Sequence, residues 1–353
     1  MKNLDRRYDL DWLRVLAVLL LIYYHTAAIF YRGDLGTFYV VDSHASSIAT
    51  LFILFVHQWH MPLFFFLSGS ATWFSLEVRT TGEYVKERFQ RLLIPFVFGT
   101  LTLVPPQVYY HLRQASGDRC SYFQFYPQFF NGIRPAGNFE WAHLWFVIYL
   151  FVLSLVALPI LGWLRQATET LNALKLERVE SMFYLAIPLA LIEALFRPRW
   201  IGFQNLYDDW ANVLLYLSYF IYGYVFFVNQ QLWQSVDRQK PLIFAAAIGG
   251  MSILFGLWIT DTVPLRSYSL AYMAYQGFRG VNSWCWVLAL LSVARSYLNA
   301  PHRLLKYASE ASYPFYLLHQ SIVVAVGFYV VQWQIGMPQK FMIISTMALG
   351  GTI

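Results

Sequence analysis

Apolar runs of about twenty residues recur along the whole of this chain, and no other feature limits its possible folds so strongly. Crossing roughly 30 Å of hydrocarbon takes about 20 mainly apolar residues in helical conformation. The expected spans are Leu10–Tyr31, Leu51–Phe74, Leu92–His111, His143–Trp163, Met182–Phe196, Trp210–Val228, Pro241–Ile259, Val281–Leu298, Tyr313–Trp333 and Phe341 to the end, the fifth being short. Hydrophobic residues make up 58% of the chain and charged residues 12%, against about 25% charged in ordinary soluble domains, an excess that a water-soluble core cannot absorb. The runs are continuous and do not alternate with period two, which favours helices over a barrel. A helix also satisfies its own backbone groups in lipid. The expected fold is all-α, a polytopic transmembrane bundle of about ten helices.

No repeat and no Pro/Gly/Ser-rich linker divides the sequence, so residues 1–353 are expected to form one membrane domain, its last helix incomplete because the chain stops in an apolar run at Ile353. The first run is too long for a signal-peptide core and lacks a small-residue cleavage pattern, which predicts a retained helix. Cys120 and Cys285 have no C-x-x-C neighbour or histidine at ligand spacing, so neither a metal site nor a disulfide framework is expected. The net charge of +6 resides in short loops, which suits membrane orientation and not nucleic acid. Alternating connections carry sixteen and nine of the 25 basic residues. The richer set, including Lys2, Arg6, Arg7, Arg14, Arg79, Lys86, Arg88, Arg91, Lys175 and Arg178, is expected in the cytoplasm, and the poorer set, including Arg119, Arg134, Arg197 and Arg279, outside. The one sizeable connection, Arg113 to Ala142, is aromatic-rich around Tyr122–Pro127 and suits a cap at the interface.

Ionisable residues inside spans are costly and mark function by default. The first run reads Asp11-Trp12-Leu13-Arg14 and then His25. Arg14 and His25 are nearly three turns apart, which places both on one helix face about 16 Å apart. Asp11 is spaced to pair with Arg14. In the second run His57 and His60 precede Pro62, which invites a kink. Two histidines without a third ligand favour polar packing over a metal. Ser68-Gly69 suits close helix contact. Arg88 and Arg91 open the third run at a spacing that can form a guanidinium fork for phosphate, or simply anchor topology. His143 and His319 add two buried imidazoles, Glu193 is spaced to pair with Arg197, and Asp208-Asp209 is placed to cap the sixth helix.

These residues resemble the acyltransferase-3 family of integral membrane acyltransferases. The match runs in order through Asp11-Trp12-Leu13-Arg14 with His25, Phe66-Leu67-Ser68-Gly69, Arg88-x-x-Arg91 with Leu92-Leu93-Ile94-Pro95, His143-Leu144-Trp145-Phe146, and Tyr316-Leu317-Leu318-His319. Val104–Tyr110 and Gly137-Asn138 look most like the glucan-modifying, succinyltransferase-like branch. Family members often carry an aromatic after the Phe-x-Ser-Gly motif, where this chain has Ser70. The resemblance implies a ten-helix inner-membrane enzyme moving an acyl group, of O-acetyl or O-succinyl type, from a cytoplasmic acyl-CoA to a hydroxyl of a glycan or lipid-linked envelope acceptor. Its partners are then that donor, that acceptor and membrane lipid, with no tightly bound cofactor and no metal.

Spacing and resemblance meet in one expectation. His25 is the general base, while Arg14, Arg88 and Arg91 hold the donor phosphates. Asp11, His60, Ser68, His143 and His319 line the pocket, and His319 ranks second as a donor contact. No Gly-x-Ser-x-Gly elbow is present, which favours direct transfer over a serine nucleophile. The rival readings are a transporter or flippase of an envelope precursor, for which neither inverted repeats nor paired broken helices are apparent, and a structural membrane subunit.

Overall fold

A computed structural model describes residues 6–33, 38–117, 120–167 and 181–353. Lys2, Arg119, Lys175 and Arg178, used above for orientation, lie outside the described residues. The longer helices are α1 (Tyr8–Ala28), α2 (Ser47–Val78), α3 (Thr81–Arg88), α4 (Ile94–Thr102), α5 (Val104–Ser116), α6 (Tyr122–Phe125, a single turn), α7 (Trp145–Val156) and α8 (Leu158–Gln166). They continue with α9 (Ser181–Tyr184, again one turn), α10 (Ala186–Phe196), α11 (Trp210–Val228), α12 (Gln231–Arg238), α13 (Lys240–Ile259), α14 (Leu270–Tyr297), α15 (Arg303–Val330) and α16 (Met337–Thr352). Only two isolated backbone bridges interrupt this all-helical pattern among the described residues.

Every expected span corresponds to helix, but not every helix is long and apolar enough to cross a membrane. Six pass both tests: α1, α2, Thr81–Ser116, α11, α13 and α15. The pair Ala142–Val156 and Leu158–Gln166, bent by 46°, makes a seventh if it is one span. The remaining three differ for physical reasons. Met182–Phe196 is short, α16 has 16 residues, and α14 is 28 residues long but carries Gln276, Arg279, Asn282 and Ser283 in its middle. Arg279, expected in an outer loop, is therefore a helix residue. Local signals act where the chain turns. Thr80 and Glu83 form a reciprocal cap on α3, and Gly117, at φ 65°, ends α5 in the left-handed conformation that glycine tolerates. Phe89–Leu93 is a π-turn, placed where Pro95 has no N–H for the Arg91 carbonyl. α2 continues through Pro62.

The chain divides into two compact units, each discontinuous in sequence. The first comprises Met1–Leu13, His57–Phe89 and Tyr149–Pro301. Its helices approach through small residues, as membrane helices do in the absence of a strong hydrophobic drive. A Cβ on Gly69 would overlap the Phe220 carbonyl, and one on Gly223 would overlap the Phe66 carbonyl, so α2 and α11 touch backbone to backbone. Ser70 lies in this crossing, fully buried, and its hydroxyl donates to the Phe66 and Gly223 carbonyls at 3.1 Å. Gly277 and Gly280 of α14 face the Ala190 and Leu189 carbonyls of α10 in the same manner. Two expected ionic features fall here. Arg197 binds Glu193 through two N–H groups, at 3.0 and 2.5 Å. Asp209 occupies the cap position of α11 without capping it; its Oδ2 instead accepts from Tyr149 Oη at 2.6 Å, Gln204 N at 2.9 Å and Asn212 Nδ2 at 3.0 Å. Burial raises that carboxyl above its ordinary range, and the hydrogen bonds from Tyr149, Asn212 and Gln204, together with the charge of Arg197, pull it back only partly.

The second unit comprises Arg14–Val56, Gln90–Ile148 and His302–Ile353. Lys340 of α16 reaches Asp42 at 2.6 Å and the Val331 carbonyl at 2.8 Å, with the pair 5% and 1% exposed. Burial alone would raise the Asp42 carboxyl, but the Lys340 ammonium and the His44 N–H outweigh it, and the group sits below its ordinary value. A depressed carboxyl adds stability above its unfolded pKa and loses it as pH falls through the folded one. Thermal stability in detergent is therefore expected to fall below about pH 4, with Asp42→Asn flattening that dependence. Lys340→Met, which strands a buried carboxylate, is expected to cost about 3–5 kcal/mol.

Candidate active site

The second unit assembles around α1 and α15. Arg14 Nη2 donates to Ser309 Oγ at 2.6 Å, and further along the His25 and His319 rings lie 5.1 Å apart. The contacts are eleven residues apart on α1 and ten on α15, so the two helices run parallel in near register. The expected placement of Arg14 and His25 on one helix, nearly three turns apart, is met by an unbroken α1. Each then has a counterpart on the same neighbouring helix.

Three imidazoles converge there. His143 lies 5.2 Å from His319, and His319 is 5.1 Å from His25. His319 is fully buried, and its Nδ1 faces the Tyr316 carbonyl at 2.5 Å. A carbonyl only accepts, so Nδ1 carries the proton and Nε2 the lone pair. His143, 5% exposed, donates from Nε2 to the Leu317 carbonyl at 2.9 Å, which leaves its Nδ1 lone pair toward Gln107 Nε2 at 3.5 Å. Two rings are thus tied to adjacent carbonyls of α15. His25 is the half-buried one, stacked on Phe38 with centroids 5.8 Å apart. No group of three His, Cys, Asp or Glu side chains among the described residues is placed to hold a metal.

A polar hub that the sequence reading missed supports these rings. Gln107, fully buried on α5, donates to Ser321 Oγ at 2.9 Å and to its own helix at the Leu103 carbonyl at 3.0 Å. Its Oε1 accepts from Gln320 Nε2 at 2.9 Å, and Ser321 donates to the Leu103 carbonyl at 2.8 Å. Tyr316 Oη donates to the His143 carbonyl. The only hint in the sequence is a glutamine inside an apolar run, after Pro105-Pro106. Ala142, just before His143, has φ 46°, a conformation disfavoured for a residue with a Cβ and common where function imposes strain. The approach to His143 also carries Glu140, held by Arg134 at 2.8 Å. Burial raises the Glu140 carboxyl, and the Arg134 guanidinium and Tyr39 hydroxyl counter it incompletely.

The remaining predicted residues divide between the units. In the first, the Arg88 guanidinium carbon stands 4.6 Å over the Tyr84 ring, whose hydroxyl lies 3.0 Å from Thr72 Oγ1. No carboxylate pairs with Arg88 among the described residues, and its Nε is buried without a hydrogen bond. Asp11 is bound by Arg6 at 2.9 Å, and Arg7 binds the fully buried Asp9 at 2.7 Å. His60 packs edge-on against Phe64 at 4.8 Å, whereas His57 is exposed. Ser68 is half-buried, and its carbonyl accepts from Thr72. Arg91 belongs to the second unit and is exposed on the π-turn.

Comparison with known proteins identifies the family. A family model described as an acyltransferase domain matches residues 7–353. Proteins named glucans biosynthesis protein C from Salmonella paratyphi A, Salmonella agona and Salmonella enteritidis are 23% identical over 350 residues, covering 92% of this chain and 84% of each relative. No solved structure matches the chain. The apolar helices identify an integral membrane protein, and with the family match running from the first described helix to the last residue, the chain belongs to the acyltransferase-3 family of membrane acyltransferases.

Proposed function

We propose that this protein is an O-acyltransferase of the inner membrane. It moves an acyl group from a cytoplasmic acyl-CoA-type donor to a hydroxyl of a carbohydrate or other envelope molecule, with its N-terminus in the cytoplasm. The observation that carries the proposal is the pairing of α1 with α15: a cation at one level, Arg14 with Ser309, and a reactive imidazole about 16 Å further along, His25 with His319. That length suits an extended thioester arm. The name shared by the relatives supports a glucan as acceptor and an O-acetyl or O-succinyl type of transfer. Membrane crossing by the short helices Met182–Phe196 and α16 and by the polar α14 would complete a ten-span domain.

In the proposed step His25 takes the proton of the acceptor hydroxyl as its oxygen attacks the thioester carbonyl carbon. The new C–O ester bond forms, the C–S bond breaks, and the coenzyme A thiolate recovers the proton from the imidazolium. His319 and His143, fixed by the Tyr316 and Leu317 carbonyls, hold the acyl end in register. Arg14, Arg88 and Arg91 grip the donor phosphates through charge-assisted hydrogen bonds. The uncompensated charge of Arg88 suits that role, because an arginine already paired would have to exchange partners.

The test is steady-state transfer by purified protein from labelled acyl-CoA to a hydroxyl acceptor. Arg88→Ala is expected to raise KM for the donor about ten-fold or more with kcat little changed, the loss of one charge-assisted contact. Passage of an acceptor across proteoliposomes without covalent product would support a transporter instead.

A further inference from the structure

Two arginines of the first unit, Arg197 and Arg279, are held differently. Arg197, which follows α10, has its charge answered by Glu193, with Asn212 Oδ1 taking a further N–H at 2.9 Å. Arg279 lies within α14, about 14 Å along the axis from Leu270. Its partners are neutral. Gln58 Oε1 accepts from Nε and from Nη2, both at 3.2 Å, and Gln276 Oε1 accepts from Nη1 at 3.1 Å. Gln58 Nε2 donates back to the Arg279 carbonyl at 2.9 Å, and the Tyr275 ring lies 5.8 Å from the guanidinium carbon. No carboxylate pairs with Arg279 among the described residues.

A guanidinium has five N–H groups. Three are engaged here, which leaves one on Nη1 and one on Nη2, enough for a bidentate contact with one oxyanion. Gln58 and Gln276 are 4% and 3% exposed, whereas Arg279 itself is half-buried. The amides therefore form a rigid, dry support behind a cation that can still be reached. They orient the charge without neutralising it. A fold that merely had to accommodate a buried arginine had the carboxylate solution at hand, since the same unit uses it for Arg197. The charged or titratable groups that feel Arg279 are Glu193, whose two oxygens Arg197 occupies, and His57 on α2. A guanidinium whose hydrogen-bond partners are all neutral, away from bulk water, attracts anions more strongly than one in solution.

We propose that Arg279, oriented by Gln58 and Gln276, anchors an oxyanion site that takes a carboxylate or phosphate group, presented by a soluble molecule or by the headgroup of an anionic lipid. The proposal makes no use of His25, and it is read by binding alone.

The full-length protein, purified in zwitterionic detergent, is titrated calorimetrically with inorganic phosphate and with succinate. In parallel it is placed in phosphatidylcholine nanodiscs with or without phosphatidylglycerol, and retained lipid is counted by native mass spectrometry. Wild type is expected to bind in at least one arm; saturation by the soluble ions identifies a soluble ligand, and selective retention of phosphatidylglycerol identifies a headgroup. Arg279→Gln is expected to weaken that binding roughly ten-fold or more. Gln58→Glu, which supplies an internal counter-ion while leaving the arginine in place, is expected to do the same and keeps the test decisive if Arg279→Gln does not fold. His25→Ala should bind as wild type does. Absence of binding by wild type in every arm, or unchanged binding by a folded variant of either kind, overturns the proposal.

Discussion

His25→Ala is expected to lower kcat for acyl transfer by about 10²–10⁴-fold, the usual contribution of a positioned general base, while the protein still inserts and keeps its thermal stability. Deleting this imidazole removes one half-buried side chain stacked on Phe38. The neighbouring rings should behave differently. His319→Ala and His143→Ala each delete a buried ring together with its hydrogen bond to the Tyr316 or Leu317 carbonyl. They are expected to lower stability together with activity, because the lost hydrogen bond is worth about 0.5–1.5 kcal/mol and the emptied ring volume adds a cavity cost. Parallel melting curves and initial rates for the three variants separate the roles. A stability loss confined to His25→Ala, with activity intact, would reverse the assignment.

The second large effect is structural. Gly69→Ala and Gly223→Ala are each expected to abolish accumulation of folded protein in the membrane fraction, or to destabilise it by about 3 kcal/mol or more. In both cases the added methyl meets a backbone carbonyl on the opposing helix, of Phe220 or Phe66, and no rotamer change relieves that. With native stabilities of about 5–15 kcal/mol, separating α2 from α11 removes a large part of the reserve. Ser70→Phe should fail for the same reason, since the serine hydroxyl lies buried between the Phe66 and Gly223 carbonyls. Fluorescence-detected size exclusion of tagged variants reads all three. Monodisperse, wild-type-like profiles for Gly69→Ala and Gly223→Ala would contradict the crossing described here.

That crossing also accounts for a departure from the family pattern. Where relatives often carry an aromatic after the Phe-x-Ser-Gly motif, this chain has Ser70, at a position with no room for a ring. The sequence marked Ser68-Gly69 as a close-contact site and was right about its kind. It had no means of naming the partner, because Gly223 is distant in sequence and unremarkable in context. Helical character, the joint placement of Arg14 and His25 on α1, and the Glu193–Arg197 couple were all legible, since each depends on local spacing. The histidine cluster was legible only as a set of separate buried imidazoles, because its convergence depends on how α15 packs beside α1.

The misreadings have a common source. Arg279 was assigned to an outer loop because Gln276, Arg279, Asn282 and Ser283 lower the apolarity of the first half of α14, yet those side chains have partners: Gln58 and Gln276 for Arg279, the Ala247 carbonyl for Asn282 and the Tyr219 hydroxyl for Ser283. Asp209 was expected to cap α11 by position, but Tyr149, remote in sequence, draws its carboxylate away. Gln107 gave almost no signal, because its partners Ser321, Gln320 and His143 lie on two other segments. Polar residues in a membrane helix are stabilised by tertiary contacts, and hydropathy along one segment does not register them.

The central claim is that an imidazole at position 25 drives covalent acyl transfer. It is tested most directly by mass spectrometry of a glucan acceptor after incubation with acyl-CoA and purified protein. The account predicts a product heavier by one acyl group, attached through a base-labile ester, with wild type and a near-complete loss of that product with equally folded His25→Ala. The same ester formed at the wild-type rate by His25→Ala would contradict it.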